Sequence, residues 1–383
     1  VTVFIGNQAS GKSTVAKAIS TLSWLEKSIN RGDTDKSDFS FGDFKEFFEY
    51  QKVHNYFSEN TYIEYIGDKY HILCDRTREF PIEIRKNEGE NYVVPKIMYI
   101  PAERNFLSAI SDVYDSKGLP DNVFTFAEEL KRAQKELNGK KLQLPIAEIT
   151  YEYDERKDES YILGEGYKID LLEASSGLQS FIPLYLVSLN LSMAITDDEK
   201  MLRKNLSVTQ SLRMDKEIAD LMLDKKVPET LDQFKEIEKI RARYYNKCFL
   251  NIVEEPEQNL FPSSQWEMLK SMLEFNNKSE GNKLIITTHS PYIINYLSIA
   301  IQAGYLKNKI QSNDLRKKLN EIVPLNSTIQ SENVAIYQLD EKTGLITKLP
   351  DYEGIPSDTN YLNSSLADGN RLFDSLLEIE EEL

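Results

Sequence analysis

Gly6-Asn7-Gln8-Ala9-Ser10-Gly11-Lys12-Ser13-Thr14, preceded by Val1-Thr2-Val3-Phe4-Ile5, is the stretch that decides the fold. It reads G-x-x-x-x-G-K-[ST] between an apolar strand and the helix-forming Val15-Ala16-Lys17-Ala18-Ile19, the context a phosphate-binding loop requires. Gly6 and Gly11 let the backbone turn tightly and approach a polyphosphate. The N–H groups opening the next helix then point at the anion and solvate it. Lys12 is placed to neutralise β- and γ-phosphates, and the Ser13 hydroxyl to ligate Mg²⁺. A glycine-containing turn that merely precedes a lysine would show this pattern in roughly one chain of this length in a hundred.

The 383 residues suffice for a large core, with 40% hydrophobic and 28% charged residues, the balance of a soluble globular protein. A net charge of −16 argues against a surface that coats nucleic acid by charge alone. Two basic stretches, Lys131-Arg132 to Lys140-Lys141 and Lys239-Ile240-Arg241-Ala242-Arg243, survive within that balance and read first as solvated helix faces. Cys74 and Cys248 form no disulfide framework and no metal spacing, so a reducing cytoplasm is expected. The longest apolar run, Phe181 to Ile195, contains Pro183 and Asn190 and is too short to span a bilayer. The chain opens inside the strand that feeds the loop, without an initiator methionine, so further residues are expected upstream.

Outward from the loop, Lys12 to about Asn30 is helical until Arg31-Gly32-Asp33, and residues 33–60 predict short helices. Tyr62-Ile63-Glu64-Tyr65-Ile66, Tyr70-His71-Ile72-Leu73-Cys74 and Ile82-Glu83-Ile84 are strand-like, with a Gly67-Asp68 turn joining the first two as an antiparallel hairpin. Neither His54 nor His71 has a visible ligand partner. Lys96-Ile97-Met98-Tyr99-Ile100 is a compact strand ended by Pro101-Ala102-Glu103-Arg104. Polar groups at such a strand end stand where ligands bind in an α/β sheet, so Glu103 and Arg104 read either as nucleotide-site residues or as a salt bridge. Residues 105–141 look helical, and 146–169 hold a short hairpin.

Glu173-Ala174-Ser175-Ser176-Gly177-Leu178-Gln179-Ser180 then opens an apolar helix, its hydroxyls and free N–H groups suited to phosphate, although alone it is an N-cap. Residues from about Thr196 to Lys247 read as a helical arm without a motif. The second strong signal is Cys248-Phe249-Leu250-Asn251-Ile252-Val253, a buried-strand pattern running into Glu254-Glu255-Pro256-Glu257. Phosphate chemistry needs two carboxylates there: Glu254 for the Mg²⁺ shell and Glu255 to polarise the attacking water. Lys283 to Thr287 is a third strand, and Thr288-His289-Ser290-Pro291 at its end places His289 where it can contact a γ-phosphate. Val334 to Leu339 and Gly344 to Leu349 form a hairpin around Asp340-Glu341-Lys342-Thr343, followed by an acidic helix.

These elements follow one another in the order of the ABC-type ATPases, and in detail the chain resembles the OLD-like branch (overcoming lysogenisation defect), bacterial ATPases related to SMC and RecF proteins. Gly6 to Ser13 matches Walker A, and Ser175-Ser176-Gly177-Leu178-Gln179 resembles the signature, with Leu178 where a second glycine is usual. Glu254 and Glu255 match the Walker B pair, Glu254 replacing an aspartate. Asn259-Leu260-Phe261 falls at the D-loop and His289 at the switch histidine. No Q-loop glutamine is evident; Pro101-Ala102-Glu103-Arg104 stands in its place. The strands that normally precede Walker A in the family, including an adenine-stacking aromatic, are expected upstream of Val1.

The resemblance implies an α/β fold with a mixed central sheet, an antiparallel β subdomain and an inserted helical arm. We expect one ATPase domain over 1–383, with 61–95 antiparallel, 105–145 a helical lobe, 196–247 the insertion, and 330–383 the hairpin and acidic helix. It further implies ATP and Mg²⁺ as cofactors. In such ATPases the signature of one subunit closes over ATP held by another, so Ser175, Ser176, Gly177 and Gln179 are expected to serve a partner copy in a homodimer or larger homo-oligomer. Full OLD nucleases carry a Toprim domain after the ATPase. Too few residues follow the terminal hairpin here, so any nuclease is expected to be a separate protein, as in two-gene phage-defence systems such as PARIS, with a phage component as trigger. The competing expectation is a RecF/SMC-like ATPase that clamps DNA, and a third is a scaffold that scarcely turns ATP over.

Overall fold

A computed structural model describes residues 1–37, 39–88, 92–109, 118–195, 198–223 and 231–381. Its frame is a six-stranded sheet built from Thr2–Gly6 (β1), Pro95–Ile100 (β2), Cys248–Glu254 (β3), Lys283–Thr287 (β4), Ala335–Leu339 (β5) and Ile346–Lys348 (β6). The spatial order is β6-β5-β1-β4-β3-β2. Neighbours run parallel except for β5 and β6, the predicted terminal hairpin, with Tyr337 opposite Lys348. The mixed α/β sheet expected from the sequence is therefore present.

Alternation along β1 explains how the sheet is covered. Val3 and Ile5 point into a core shared with Phe249, Val253 and Ile286, roofed by the helices Ser176–Ala194, Pro262–Asn276 and Pro291–Lys309. Phe4 points the other way, to Leu250, Ile252, Ile285 and Ala16 of the helix Lys12–Arg31 (α1). All seven residues of β3 are buried, as a strand covered on both faces requires. Buried Asn251 donates to Ser188 Oγ at 3.1 Å, fixing the helix Ser176–Ala194 to β3 by a polar contact inside the apolar layer.

Beyond the central sheet, Tyr62–Ile66, Tyr70–Asp75 and Ile82–Lys86 form a three-stranded antiparallel sheet with the expected turn at Gly67. Ile72 and Cys74 pack with Leu22, Leu25 and Ile29 of α1 and with Phe44 and Phe48 of the helix Phe41–Glu49. His71 is a strand residue, 2.9 Å from Glu64 Oε1 across the sheet.

The hairpin expected within 146–169 is a four-stranded sheet, Lys141–Gln143, Thr150–Asp154, Glu159–Gly164 and Tyr167–Asp170. Lys141–Gln143 is thus a strand at the end of the helical lobe expected over 105–145. Three residues are too few to carry a periodicity, and pairing with Thr150–Tyr151–Glu152 decides their state. The rest of that segment holds a 3-10 turn at Ala102–Ala109 and the helix Asp121–Glu136; residues 110–117 lie outside the described residues. Glu199–Lys204, Val208–Leu223 and Leu231–Tyr244 are the helices of 196–247, of which 196–197 and 224–230 lie outside the described residues. Tyr361–Glu381 closes the chain as an exposed helix.

Candidate functional site

The turn from β1 to α1 is built for close approach. Gly6 has φ 153°, and a Cβ there would stand 2.5 Å from the Leu339 carbonyl oxygen and 2.7 Å from Ser10 Oγ. Gly11, at φ 92°, caps α1 without any side-chain hydrogen bond, so the first-turn N–H groups stay open to an anion. Lys12 is buried and its ammonium donates to the carbonyls of Gly6 (2.9 Å) and Asn7 (2.8 Å) and to Ser10 Oγ (3.3 Å). Burial lowers its pKa, opposed by the charges of Glu255 and Glu257. Asn7 donates to Glu341 of the β5–β6 turn, which ties the loop to the sheet edge. Gln8, Ala9 and Ser13 are exposed, and Thr14 is half-buried.

At the carboxyl end of β3 the two carboxylates part company. Glu254 is 3% exposed; its Oε2 accepts from the Ala102 N–H at 3.4 Å while its Oε1 is buried without a partner. Glu255 has a left-handed φ of 42°, and its N–H donates to Thr287 of β4 at 2.9 Å. The chain turns there, bringing Glu255 Oε1 to 3.7 Å from His289 Nε2, with both side chains about 38% exposed. Thr288 N–H in turn donates to Phe4 of β1. The adjacency of β1, β4 and β3 thus gathers Lys12, His289 and Glu255 along one sheet edge. Burial, then the positive charge of Lys12, hold the His289 imidazole below its ordinary value, with Glu255 opposing.

Two residues the motifs did not assign complete this edge. Glu257 accepts the His289 N–H at 2.7 Å, and burial raises its carboxyl pKa. Arg104, fully buried, is neither a nucleotide-site residue nor half of a salt bridge. Its guanidinium donates to four backbone carbonyls, those of Glu254 and Glu255 at 2.6 Å and of Pro101 and Ser180 at 3.1 Å. Desolvation lowers it to about 10, so it is charged at neutral pH. Glu103 beside it is exposed. The proline and arginine of Pro101-Ala102-Glu103-Arg104 carried a hint of buried structure, but nothing local names acceptors so distant in the chain.

The serine-glycine stretch is attached to the acid loop rather than to the phosphate loop. Ser175 caps its helix without a side-chain bond, and both Ser175 and Ser176 are exposed. A Cβ on Gly177 would stand 2.7 Å from the Asn259 carbonyl oxygen. Ser180 Oγ donates to Gln258 at 3.2 Å. The Gln179 amide donates to the Leu171 and Leu172 carbonyls of the preceding 3-10 turn, Leu171–Glu173. Among the described residues no hydrogen bond or ion pair joins Ser175, Ser176 or Gly177 to Gly6–Thr14.

Whether Mg²⁺ suits this site is decided by the donors. Among the described residues no group of three or more His, Cys, Asp and Glu is placed to cage a metal. The unpartnered Glu254 Oε1 and the exposed Ser13 hydroxyl are hard oxygen donors of the kind Mg²⁺ takes when phosphates and water supply the rest. They fit.

Comparison with family models matches residues 240–294 to an AAA ATPase domain. That span carries β3, the acid pair, β4 and His289, and it supports an ATP-binding ATPase; the phosphate loop and the serine-glycine helix start lie outside it. Comparison with curated proteins finds no match. Among the described residues no helix is long and apolar enough to cross a membrane.

Proposed function

We propose that this chain hydrolyses ATP to ADP and phosphate in a composite site completed by a second copy, and that its nucleotide state controls a separate nuclease effector in anti-phage defence. The observation that carries the catalytic part is the left-handed turn at Glu255, which faces its carboxylate toward His289 at 3.7 Å on the sheet edge that also holds Lys12.

The residues divide the work. The α1 N–H groups and Lys12 bind and neutralise the β- and γ-phosphates. Glu255, half-exposed, takes the proton of an attacking water. His289, held toward its neutral form and fixed by Glu257, meets the γ-phosphate. Ser13 and Glu254 would hold Mg²⁺, which when bound supplies charge neutralisation between the phosphates. Exposed Ser175 and Ser176 serve the neighbouring copy, and Gly177 couples them to the acid loop through Asn259. The effector and the defence setting rest on the resemblance to OLD-like ATPases. A DNA clamp finds less support. Lys239 pairs with Glu236, Arg241 with Glu238 and Glu199, and Arg243 with Glu217, so the second basic stretch is neutralised, and in the first Lys131 pairs with Asp158 and Arg132 with Glu129.

Phosphate release and light scattering test the reading. Lys12→Ala abolishes nucleotide binding. Glu255→Gln retains ATP, loses about 100-fold or more in turnover, and accumulates as an assembly of at least twice the chain mass. Wild-type turnover by Glu255→Gln, or a monomer that hydrolyses ATP, overturns it. Toxicity of a neighbouring gene that depends on the nucleotide state of this chain tests the effector.

A further inference from the structure

A cavity of about 630 Å³ opens between the second half of α1, the helix Phe41–Glu49, the edge strand β2 and the arm. Its α1 wall begins at Ser20, eight residues and about 12 Å beyond Lys12 along the helix. It is therefore separate from the phosphate loop. The volume lies within the range of small-molecule sites.

Its lining holds more buried polar groups than the protein itself satisfies. Among the described residues, Thr21 Oγ1, Arg31 Nε and Gln51 Oε1 are sealed from solvent and lack partners, and each of the three residues is at least nine-tenths buried. An unsatisfied buried polar group costs about 1–3 kcal/mol, so three on residues that line one cavity are hydrogen-bonding capacity that the fold itself leaves unused.

Charge and shape define the occupant. Lys27, Arg31 and Lys96 line the cavity against Glu46 and Glu129. Lys96 is paired with Glu129 and Arg31 with Asp33 at 2.9 Å, whereas among the described residues Lys27 donates to neutral oxygens, Pro95 O at 2.5 Å and Asn246 Oδ1 at 2.6 Å. Burial and its two cationic neighbours, Arg31 and Lys96, lower the Lys27 pKa, with Cys248 and Asp33 opposing. At the mouth, Trp24 and Phe47 lie 5.4 Å apart between ring centroids, with Trp24 46% and Tyr50 38% exposed, forming an aromatic wall. Asn205, Gln210 and Asn246 close the arm side with amides, which match the donor and acceptor edges of a heterocycle.

We propose that this cavity binds a small organic anion bearing a planar ring, with the chemistry of a nucleoside monophosphate, its anion on Lys27 and its ring against Trp24. The site joins α1, which carries the phosphate loop, to the arm.

Trp24 reports on its own wall, because the chain has only one other tryptophan, Trp266. AMP is titrated into the full-length chain carrying Lys12→Ala and Trp266→Phe, with fluorescence as readout. Removal of Lys12 separates this test from the ATPase reading: failure of either leaves the other standing. Saturable quenching at one site is expected, with ribose 5-phosphate and inorganic phosphate at least tenfold weaker. Lys27→Met in this background weakens AMP at least tenfold. Thr21→Val guards against misfolding, since it removes an unpartnered hydroxyl while keeping the shape. It leaves the melting temperature unchanged or raised while AMP affinity falls. No saturable quenching at millimolar AMP overturns the proposal, as does inorganic phosphate equal to AMP, or unchanged affinity in both variants.

Discussion

The guanidinium of Arg104 donates to the backbone carbonyl of Glu255 at 2.6 Å, across 151 residues of chain. The same side chain holds the carbonyls of Glu254 and of Ser180 in the helix Ser176–Ala194, so one cation fixes the backbone of the acid pair relative to the serine-glycine element. No carboxylate is needed for this. Four carbonyl dipoles around a planar, five-donor group suffice.

Arg104→Ala leaves four carbonyls without their donor in a dry site, and destabilisation by at least about 3 kcal/mol is expected. Arg104→Lys keeps the charge but not the fork. It is expected to fold with a lowered urea midpoint and to lose turnover while retaining nucleotide affinity, because the phosphate loop contacts none of these bonds. Equal losses in binding and turnover would contradict that division.

Gly177→Ala brings a methyl to 2.7 Å from the Asn259 carbonyl oxygen, which lies on backbone that cannot yield cheaply. A cost of about 1–3 kcal/mol is expected, with ATP hydrolysis lost through displacement of the Asn259 loop. Circular dichroism should show the fold retained while phosphate release fails.

Trans assembly has a sharper test in mixed oligomers. Lys12→Ala and Ser176→Arg chains are each expected to be inactive. Mixed together, they form one composite site with an intact loop from one chain and an intact Ser176 from the other. Turnover at least about tenfold above either alone is expected; mixtures no more active than their parts argue for a site within one chain.

His289 provides a pH prediction. Its folded pKa is depressed below the ordinary value near 6.5, so the unfolded chain takes up the proton first. The stability this group contributes is complete above about pH 6.5 and is lost as pH falls through the folded value. With only three histidines, its ring resonance is assignable by NMR. Lys12→Met should raise its midpoint by removing a like charge, and Glu255→Gln should lower it further.

Glu26, buried on α1, accepts the Tyr65 hydroxyl at 2.7 Å and the N–H groups of Lys69 (2.7 Å) and Tyr70 (3.0 Å). It anchors the Gly67 turn of the antiparallel sheet, where any Cβ on Gly67 would meet its carboxylate. Glu26→Ala is expected to cost about 3 kcal/mol, read as a lower urea midpoint. Burial and Glu26 raise the Tyr65 phenol, so the variant should bring the Tyr65 ultraviolet titration back toward ordinary pH.

The sequence by itself determined the loop, the acid strand and the strand-end histidine. Those features are local: a glycine spacing, a run of apolar residues and the polar groups that follow it are adjacent in the chain and carry their own geometry. Short, half-exposed strands such as Lys141–Gln143 were illegible because their state depends on a pairing partner. The Arg104 clamp, the Glu257 hold on His289 and the cavity behind α1 were decided only in three dimensions. Their partners are brought together by the order of parallel strands, and a hydrogen bond across 151 residues leaves no period or spacing to read.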